Sequence, residues 1–321
     1  MTDDRSQTFD AGATHGAPLP YLQRIRSYYQ ALGYGAPYEW AQHAEVPLQR
    51  LREPLTQCRV ALVTTAAPYQ PGQGEQGPGA PYNAAAKFYA VYSGDSASDP
   101  DLRIAHLAID RQHTTGEDIA SYFPLVALRD AAATGRIGSV APRFHGVPSN
   151  RSQRVTQDVD GPELAARCMA DAVDAAILVA NCPVCHQTLA IMAGLLEAAG
   201  IATVVMGCAR DIALHVGAPR FVFSDFPLGN AAGRPHDRAS QAFTLDLALA
   251  LLESATAPRS TVDSSLRWSD SDDWKLDYCN IERLTSEEIA RRRAEFDRGK
   301  AAARALREQA AVTGRGAEGA P

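Results

Sequence analysis

The chain alternates between short, uninterrupted apolar runs and longer segments whose apolar residues recur every three or four positions. The clearest runs are DAAILVAN at 174–181, RVALVTTA at 59–66, IATVVMG at 201–207 and RFVFSD at 220–225. Continuous apolar runs of this length are typical of strands that are buried on both faces of a sheet. The alternating segment LRIAHLAID at 102–110 predicts one more strand.

Helical patterns fill the intervals between these runs. The segment CPVCHQTLAIMAGLLEAAG at 182–200 ends at a glycine, and further helices are predicted over 124–135, 162–173 and 238–255. Strand, helix and strand in succession form the βαβ unit, whose strands are parallel. We therefore predict an α/β fold: a mostly parallel sheet of βαβ units with helices on both faces, plus N- and C-terminal helical extensions.

The composition changes outside this core. The first residues are rich in Gly, Asp, Thr and Pro, and the last predicted helix begins with the capping box Thr285-Ser-Glu-Glu288. That charged helix either clasps the body of the protein or joins a partner subunit, which would make a homo-oligomer. The predicted segments are a disordered N-terminus (1–20), a helical extension (21–57), the α/β core (58–255), a linker (256–284), a C-terminal helix (285–310) and a disordered tail (311–321).

Composition and charge exclude several classes of protein. The 321 residues carry a formal net charge of -6, so the chain lacks the basic excess that nucleic-acid binding requires. No apolar run approaches the roughly 20 residues that cross a bilayer, and the polar N-terminus does not resemble a secretory signal. We therefore expect a cytoplasmic protein with neither a nucleic-acid nor a membrane partner.

Two of the six cysteines form a C-x-x-C motif at the end of the strongest predicted strand. Cys182 follows the strand, and Cys185 lies in the first turn of the next helix. Free N–H groups and the helix dipole favour a thiolate there, and the spacing brings both sulfur atoms within disulfide reach. The pair is either nucleophilic or redox-active, or it is inert, or it binds a metal such as zinc together with His186 and Cys208.

Polar residues near the motif complete the candidate site. His186 either exchanges a proton with a thiolate or caps the helix start, and Gln187 and Thr188 either bind a substrate carboxylate or satisfy the first helical turn. In the predicted alternating strand, His106 and Asp110 share one face. The candidate catalytic residues are Cys182, Cys185 and His186, and the candidate substrate-binding residues are Thr64, Thr65, His106, Asp110, Arg111, His113, Gln187 and Thr188.

Other reactive or cofactor-binding motifs are absent from the sequence. No G-x-G-x-x-G follows a strand, no phosphate-binding G-x-x-x-x-G-K-[ST] occurs, and no G-x-S-x-G nucleophile elbow is found. No nicotinamide, flavin or nucleotide cofactor is therefore predicted. Arg111 either holds an anionic substrate through its guanidinium or forms a surface salt bridge. The thiols are the most reactive groups that the chain offers.

Several segments resemble one known family, in the same order along the chain. They are VALVTTAA (60–67), ASYFPLVALRDAAATGRIGSVAPRFHG (120–146), DAAILVANCPVCHQT (174–188), LLEAAGIATV (195–204) and APRFVFSDFPLGNAAGRP (218–235). Over residues 60–255 the chain resembles the selenoprotein B family of glycine, sarcosine, betaine and D-proline reductases. It resembles the cysteine-containing bacterial relatives of that family more closely.

The resemblance implies a reductase that cleaves a carbon–heteroatom bond with a selenolate or thiolate and draws electrons from a dithiol. It places the reactive position of the family's U-x-x-C motif at Cys182, with Cys185 as the resolving thiol. Cysteine in place of selenocysteine leaves the substrate open. The resulting hypothesis is a thiol-dependent reductase of a small amino-acid-like molecule, served by an external dithiol such as a thioredoxin-like protein. The alternative is a zinc-binding or redox-sensing thiol protein without turnover.

Overall fold

A computed structural model describes residues 16–104 and 106–312 of the chain. The segments predicted to be disordered are 1–20 and 311–321. Of these, residues 1–15 and 313–321 lie outside the described residues. Residues 16–20 are described, and Leu19 among them is buried in the core.

The strands and helices alternate over most of the chain. In chain order the strands are β1 (Arg59–Thr64), β2 (Ala67–Pro68), β3 (Tyr92–Asp95), β4 (Leu102–Arg103), β5 (Ser139–Val140), β6 (Arg143–Gly146), β7 (Ala175–Val179), β8 (Ala202–Gly207), β9 (Arg220–Phe223) and β10 (Ser260–Asp263). The α-helices are α1 (Tyr21–Ala31), α2 (Leu125–Ala133), α3 (Gln153–Val155), α4 (Gly161–Ala170), α5 (Pro183–Ala198), α6 (Arg210–Val216), α7 (Arg238–Ser254) and α8 (Ser286–Val312).

An eight-stranded sheet forms the centre of the molecule. Its strand order is β10-β9-β8-β7-β1-β6-β3, and the short β5 also pairs with β1. All pairs are parallel except β3 with β6 at one edge. The register places Leu62 of β1 opposite Ile177 of β7, and Ile177 opposite Val204 of β8. The predicted α/β class is confirmed.

Helices cover both faces of this sheet. Successive strand residues point to opposite faces, and every residue of β7, β8 and β9 is buried. On one side α4, α5 and α6 pack against one another, while α2 packs with α7. Burying one aliphatic side chain, such as that of Leu62 or Ile177, stabilises the fold by about 1.5–3 kcal/mol. The continuous apolar runs of the sequence thus become the centre of the core.

The strand order reverses between β1 and β7. The chain places β6 on one side of β1 and β7 on the other side. Segments that leave the carboxyl ends of two such strands diverge, and open α/β sheets bind their ligands in the crevice between them. Thr65 follows β1 and Cys182 follows β7, so both residues lie at this crevice.

In two segments the strands of the structure differ from those that the sequence predicted. Of the strand predicted at 102–110, only Leu102–Arg103 is extended, and it pairs with β2 in a separate two-stranded antiparallel sheet. Residues 106–113 form turns instead of strand, so that prediction is wrong for His106 and Asp110. The segment predicted as a linker contains β10, which extends the main sheet beside β9.

The second half of the predicted N-terminal extension is irregular and not helical. The backbone N–H of Ala41 donates to Oε1 of Gln187 at 2.8 Å, and that of His43 donates to the Val216 carbonyl at 3.1 Å. These partners lie on α5 and at the end of α6. Contacts with the body of the protein therefore replace the local i to i-4 bonds that the amphipathic pattern suggested.

The C-terminal helix α8 packs on its own chain. It begins with the predicted capping box: the Glu288 N–H donates to Thr285 Oγ1 at 3.2 Å, and the Thr285 N–H donates to Glu288 Oε2 at 3.1 Å. The Phe296 ring lies 5.4 Å from that of Tyr29 and 5.2 Å from that of Tyr34. No helix in the described part of the chain is both long and apolar enough to cross a bilayer.

Buried His145 on β6 gives the fold a defined acid sensitivity. Its Nδ1 lies 2.9 Å from Ser93 Oγ, and burial lowers its pKa from 6.5 to about 4. Below pH 6.5 the unfolded chain binds this proton before the folded chain does, so stability is lost as the pH falls towards 4.

We expect the His145→Gln variant to lack this loss. From pH 7 to pH 4 the wild-type free energy of unfolding should fall by about 3 kcal/mol more than that of the variant. Urea denaturation of both proteins at each pH measures the difference. If the difference in free energy of unfolding between the two proteins stayed constant with pH, His145 would not be the source of the acid sensitivity.

Candidate active site

The C-x-x-C motif occupies the start of α5, at the crevice between β1 and β7. Cys182 is the N-cap residue: its Sγ accepts the N–H of Cys185 at 3.3 Å, and Pro183 begins the helix. The two Sγ atoms lie 2.6 Å apart, and both residues are free thiols. The pair can therefore form a disulfide with only a local adjustment of the turn.

Cys182 faces a cavity, and Cys185 lies behind it. The cavity has a volume of about 1570 Å³ and extends from Cys182 between α1, the turns around His106 and α8. Thr65 and Ser149 also line it, whereas Cys185 does not. The exposed fractions of Cys182 and Cys185 are 4% and 0%, so of the two cysteines it is Cys182 that a molecule in the cavity would meet.

The two thiols share one negative charge. Burial, together with the hydrogen bond to Cys185 and its charge, raises the pKa of Cys182 well above its usual value. Burial also opposes ionisation of Cys185. Hydrogen bonds with Cys182, His106 and Thr65 and the positive charge of His106 nevertheless lower the pKa of Cys185 well below its usual value. The pair therefore carries a proton on Cys182 and a charge on Cys185, and it titrates as one unit.

His106 reaches the pair from a turn. One of its ring nitrogens and the two Sγ atoms lie within 4.8 Å of one another. Its Nδ1 is buried and has no hydrogen-bond partner. The backbone carbonyl of His106 accepts a hydrogen bond from Nη2 of Arg111 at 2.5 Å, which holds the turn in place. His106 is thus the basic group next to the thiols, and it is positioned to exchange protons with them.

His186 joins α5 to the end of β8 and has a different position from His106. Its Nδ1 donates to the Cys182 carbonyl at 2.8 Å, while Nε2 accepts the N–H groups of Cys208 and Ala209 at 2.9 Å each. Burial lowers the pKa of His186 to about 4, so the ring is neutral. A Cβ at Gly207 would lie 2.4 Å from Nε2, so a glycine is required there. Both ring nitrogens bind the backbone, which makes His186 a positioning residue.

Comparison with characterised proteins bears on this site. The chain is 30% identical over 184 residues to the D-proline reductase subunit gamma of Acetoanaerobium sticklandii, which covers 57% of this chain and 73% of the relative. The chain belongs to the D-proline reductase gamma-subunit family. No protein-family model matches the sequence, and no solved structure matches the chain. The relative is, by its name, one subunit of a reductase.

In this member of the D-proline reductase gamma-subunit family, four predicted substrate-binding residues lie in the turns at 106–113: His106, Asp110, Arg111 and His113. Arg111 donates to the carbonyls of His106, Leu107 (2.8 Å) and Ala80 (3.4 Å), so its guanidinium holds the turns together. His113 Nε2 lies 2.9 Å from Asp277 Oδ2.

Asp110 combines burial with an unused oxygen. Its Oδ1 accepts the Gln112 N–H at 3.2 Å, while its Oδ2 is buried without a partner. Burial raises the pKa of this carboxyl. Asp110 lines the same cavity as Cys182.

The other predicted residues serve the backbone around the site. Thr64 Oγ1 accepts the Ala66 N–H at 3.0 Å. Gln187 accepts the Ala41 N–H and donates to the Tyr38 hydroxyl at 2.6 Å, and Thr188 is fully buried in α5. Thr64 ends β1 and Thr65 follows it; Thr65 is the one of the two that lines the cavity, and its Oγ1 accepts a hydrogen bond from the Asn181 Nδ2 group at 3.3 Å.

The four-residue metal site proposed from the sequence does not assemble. His186 Nε2 binds the backbone N–H of Cys208 instead of a metal, and burial raises the pKa of the Cys208 thiol well above its usual value. Among the described residues, the group that could hold a metal ion is His106, Cys182 and Cys185.

Sequence reasoning missed the segment that follows β6. Ser149 lines the cavity together with Cys182, and its hydroxyl opposes the rise in the pKa of that thiol. Arg151 lines the cavity, with its guanidinium carbon 4.7 Å from the ring centroid of Tyr38. Both residues follow the carboxyl end of β6, which is only four residues long and was not predicted as a strand. Recognising that strand would have added this segment to the site.

Proposed function

We propose that this protein is a thiol-dependent reductase of the selenoprotein B type, which cleaves a carbon–heteroatom bond of a small, amino-acid-like molecule. Cys182 is the nucleophile and Cys185 the resolving thiol. The observation that carries the proposal is the pair of sulfur atoms 2.6 Å apart, of which one lines the cavity. The family relationship with a D-proline reductase subunit supports a reductase-type activity.

The first step uses the proton arrangement of the dyad. The proton of Cys182 passes to Cys185 across 2.6 Å as the Cys182 sulfur attacks the substrate carbon. A sulfur–carbon bond forms while the carbon–heteroatom bond breaks. The heteroatom leaves with the bonding electron pair and takes a proton from His106. The negative charge moves to Cys182 only during attack, so in the resting enzyme it stays on Cys185, beside His106.

The second step releases the reduced product. Cys185 returns its proton to His106, and its sulfur attacks the Cys182 sulfur to form the disulfide. The sulfur–carbon bond breaks, and the carbon keeps the electron pair and takes the proton from His106. The substrate carbon has gained two electrons, which the two thiols have lost. An external dithiol, of the thioredoxin-like class, then reduces the disulfide and is itself oxidised.

Arg151 supports recognition of a carboxylate. It lies two residues after Ser149, which lines the cavity with Cys182, and its guanidinium stacks on Tyr38. Gln187 fixes the Tyr38 hydroxyl from α5, so the arginine is held at a defined place on the cavity wall. A carboxylate paired with Arg151 would place the adjacent carbon near Cys182. The guanidinium of Arg151 would also stabilise the negative charge that develops when the product leaves.

We expect Arg151→Met to raise KM by about 10- to 100-fold, which corresponds to one lost charge-assisted hydrogen-bonded contact. The value of kcat should change less, because the thiols are untouched. Steady-state kinetics measure both. Arg154→Met is the matched control, since Arg154 lies three residues further on, is exposed and does not line the cavity. Equal effects of the two substitutions would contradict the assignment.

The experiment for the function itself is a substrate panel. Reduced, chelator-treated protein is mixed with dithiothreitol and D-proline, glycine, sarcosine, betaine or related small carboxylates. We expect consumption of the dithiol and appearance of the ring-opened or deaminated product with at least one of them. Consumption that is equal in wild-type protein and in Cys182→Ser would contradict the proposal. So would the absence of both turnover and substrate-dependent Cys182–Cys185 disulfide across the panel.

We also propose the cytoplasm as the location of this protein. All six cysteines are free, and the dithiol-driven cycle requires a reducing compartment.

A further inference from the structure

We propose that Cys182, Cys185 and His106 form a binding site for one thiophilic divalent cation, of the zinc class, whose fourth coordination position opens into the cavity. Metal binding at this site does not require the reduction to occur, although it uses the same two thiols, and its ligand set differs from the one that the sequence suggested. Three features support this site: the geometry of the three residues, their charge balance and the cavity in front of them.

The three ligand atoms are already gathered. One ring nitrogen of His106 and the two sulfur atoms lie within 4.8 Å of one another. Tetrahedral zinc with bonds of about 2.3 Å to sulfur needs a sulfur–sulfur distance of about 3.8 Å. The present distance of 2.6 Å therefore has to increase by about one ångström, which side-chain rotation at the N-cap residue provides.

The charges of the site also match a divalent cation. Two thiolates would neutralise the ion, so no net charge remains in this buried place. Sulfur and imidazole ligands favour zinc-class ions over magnesium or calcium, which prefer oxygen.

The surrounding groups suit a set of metal ligands. The Cys185 N–H donates to Cys182 Sγ, and the hydroxyl-bearing residues Ser149 and Thr65 line the cavity with Cys182. Hydrogen bonds of this kind hold metal-binding thiolates in place. His106 Nδ1 is buried without a partner, so a ring nitrogen remains unused in the present arrangement.

The position of the cavity determines what kind of site this is. Cys182 and His106 line the cavity, while Cys185 lies behind them. Catalytic zinc sites have this arrangement: three protein ligands hold the ion, and a fourth, open position faces a cavity, where water or a ligand completes the coordination. The ion would occupy both thiols and thus block the proposed reductase cycle reversibly.

The test is a titration of the reduced, chelator-treated full chain with Co²⁺, whose absorption reports sulfur ligands and tetrahedral geometry. We expect about one equivalent per chain, with thiolate-to-metal charge-transfer absorption. Cys182→Ser and Cys185→Ser should lose that absorption, and His106→Asn should weaken binding by at least about 10-fold. Cys279→Ser is the matched control, because Cys279 lines the same cavity but lies outside the cluster.

A second measurement needs no variant and therefore does not depend on the folding of one. Zn²⁺ is added to wild-type protein, which is then treated with iodoacetamide and analysed by peptide mass spectrometry. Protection of Cys182 and Cys185, but not of Cys279, is expected. No Co²⁺ uptake, uptake that survives Cys182→Ser, or protection of Cys279 alone would overturn the site. Because the reductase assay uses metal-free protein, either proposal can fail without the other.

Discussion

The Cys182→Ser variant is expected to lose at least about 10³-fold in reductive turnover while keeping its fold. Serine retains the size of the side chain and can still accept the Cys185 N–H, so the start of α5 is preserved. The hydroxyl, however, is a much weaker nucleophile than a thiolate and cannot form a disulfide with Cys185. Replacing this one sulfur atom by oxygen therefore prevents both half-reactions of the proposed cycle.

Cys185→Ser should differ in a way that identifies its role. The first attack by Cys182 becomes slower, because Cys185 no longer takes its proton, but the resolving step is lost completely. A substrate adduct on Cys182 is therefore expected to accumulate in the mass spectrum of the intact protein. Cys279→Ser is the matched control and should retain turnover, because that thiol lines the cavity without contacting the pair. Full turnover in Cys182→Ser, or an equal loss in Cys279→Ser, would show that the dyad is not the reactive group.

His186→Ala is expected to lower the free energy of unfolding by about 3–5 kcal/mol. The substitution empties a fully buried ring position. It also leaves the N–H groups of Cys208 and Ala209 without their partner. The Cys182 carbonyl loses the imidazole but keeps the backbone N–H of residue 186 at 3.2 Å, so we expect a smaller effect on alkylation or turnover at the neighbouring sulfur than on stability. Urea denaturation followed by circular dichroism measures the stability change.

His215→Ala is the control for this experiment. His215 lies on the adjacent helix α6 and is only half-buried, so its loss should cost less than about 1 kcal/mol. If the two alanine variants were destabilised equally, the hydrogen bonds of His186 would not be the reason for its position.

The buried half of the fold could be predicted from the sequence because one pattern, the continuous apolar run, dominates it. β1, β7, β8 and β9 are largely apolar, since the sheet is covered on both faces, and α5 follows directly from its strand and its C-x-x-C start. The short strands were not accessible: β6 spans four residues, and its place beside β1 is decided by pairing with residues 82 positions earlier, Val63 with His145 and Thr64 with Gly146. No local signal carries that information.

The residues of the site also divide into those that the sequence could place and those that it could not. The C-x-x-C pair could be placed because it depends on a single strand-to-helix junction. His106 was selected for a strand position that it does not occupy, yet it lies beside the thiols because Arg111 holds its turn. His186 and His106 were not distinguishable from sequence, since the difference depends on which backbone groups their rings meet. Ser149 and Arg151 were missed together with the strand that carries them.

The choice of ionised sulfur shows why geometry was needed. A helix start favours a thiolate at either position of the motif. His106 and Thr65, from two other segments, place the charge on Cys185, while the cavity reaches Cys182. The sulfur that carries the charge and the sulfur that meets the substrate are therefore different atoms.

The most direct test of this account is a redox titration of the wild-type protein without substrate. Reduced, metal-free protein is equilibrated with mixtures of reduced and oxidised dithiothreitol, trapped with N-ethylmaleimide and analysed by peptide mass spectrometry. We predict one reversible two-electron transition, in which Cys182 and Cys185 become linked to each other while Cys168 and Cys279 remain thiols. If Cys182 and Cys185 stayed reduced across the whole range, or paired with other cysteines, the reactive dithiol at the cavity wall would be refuted.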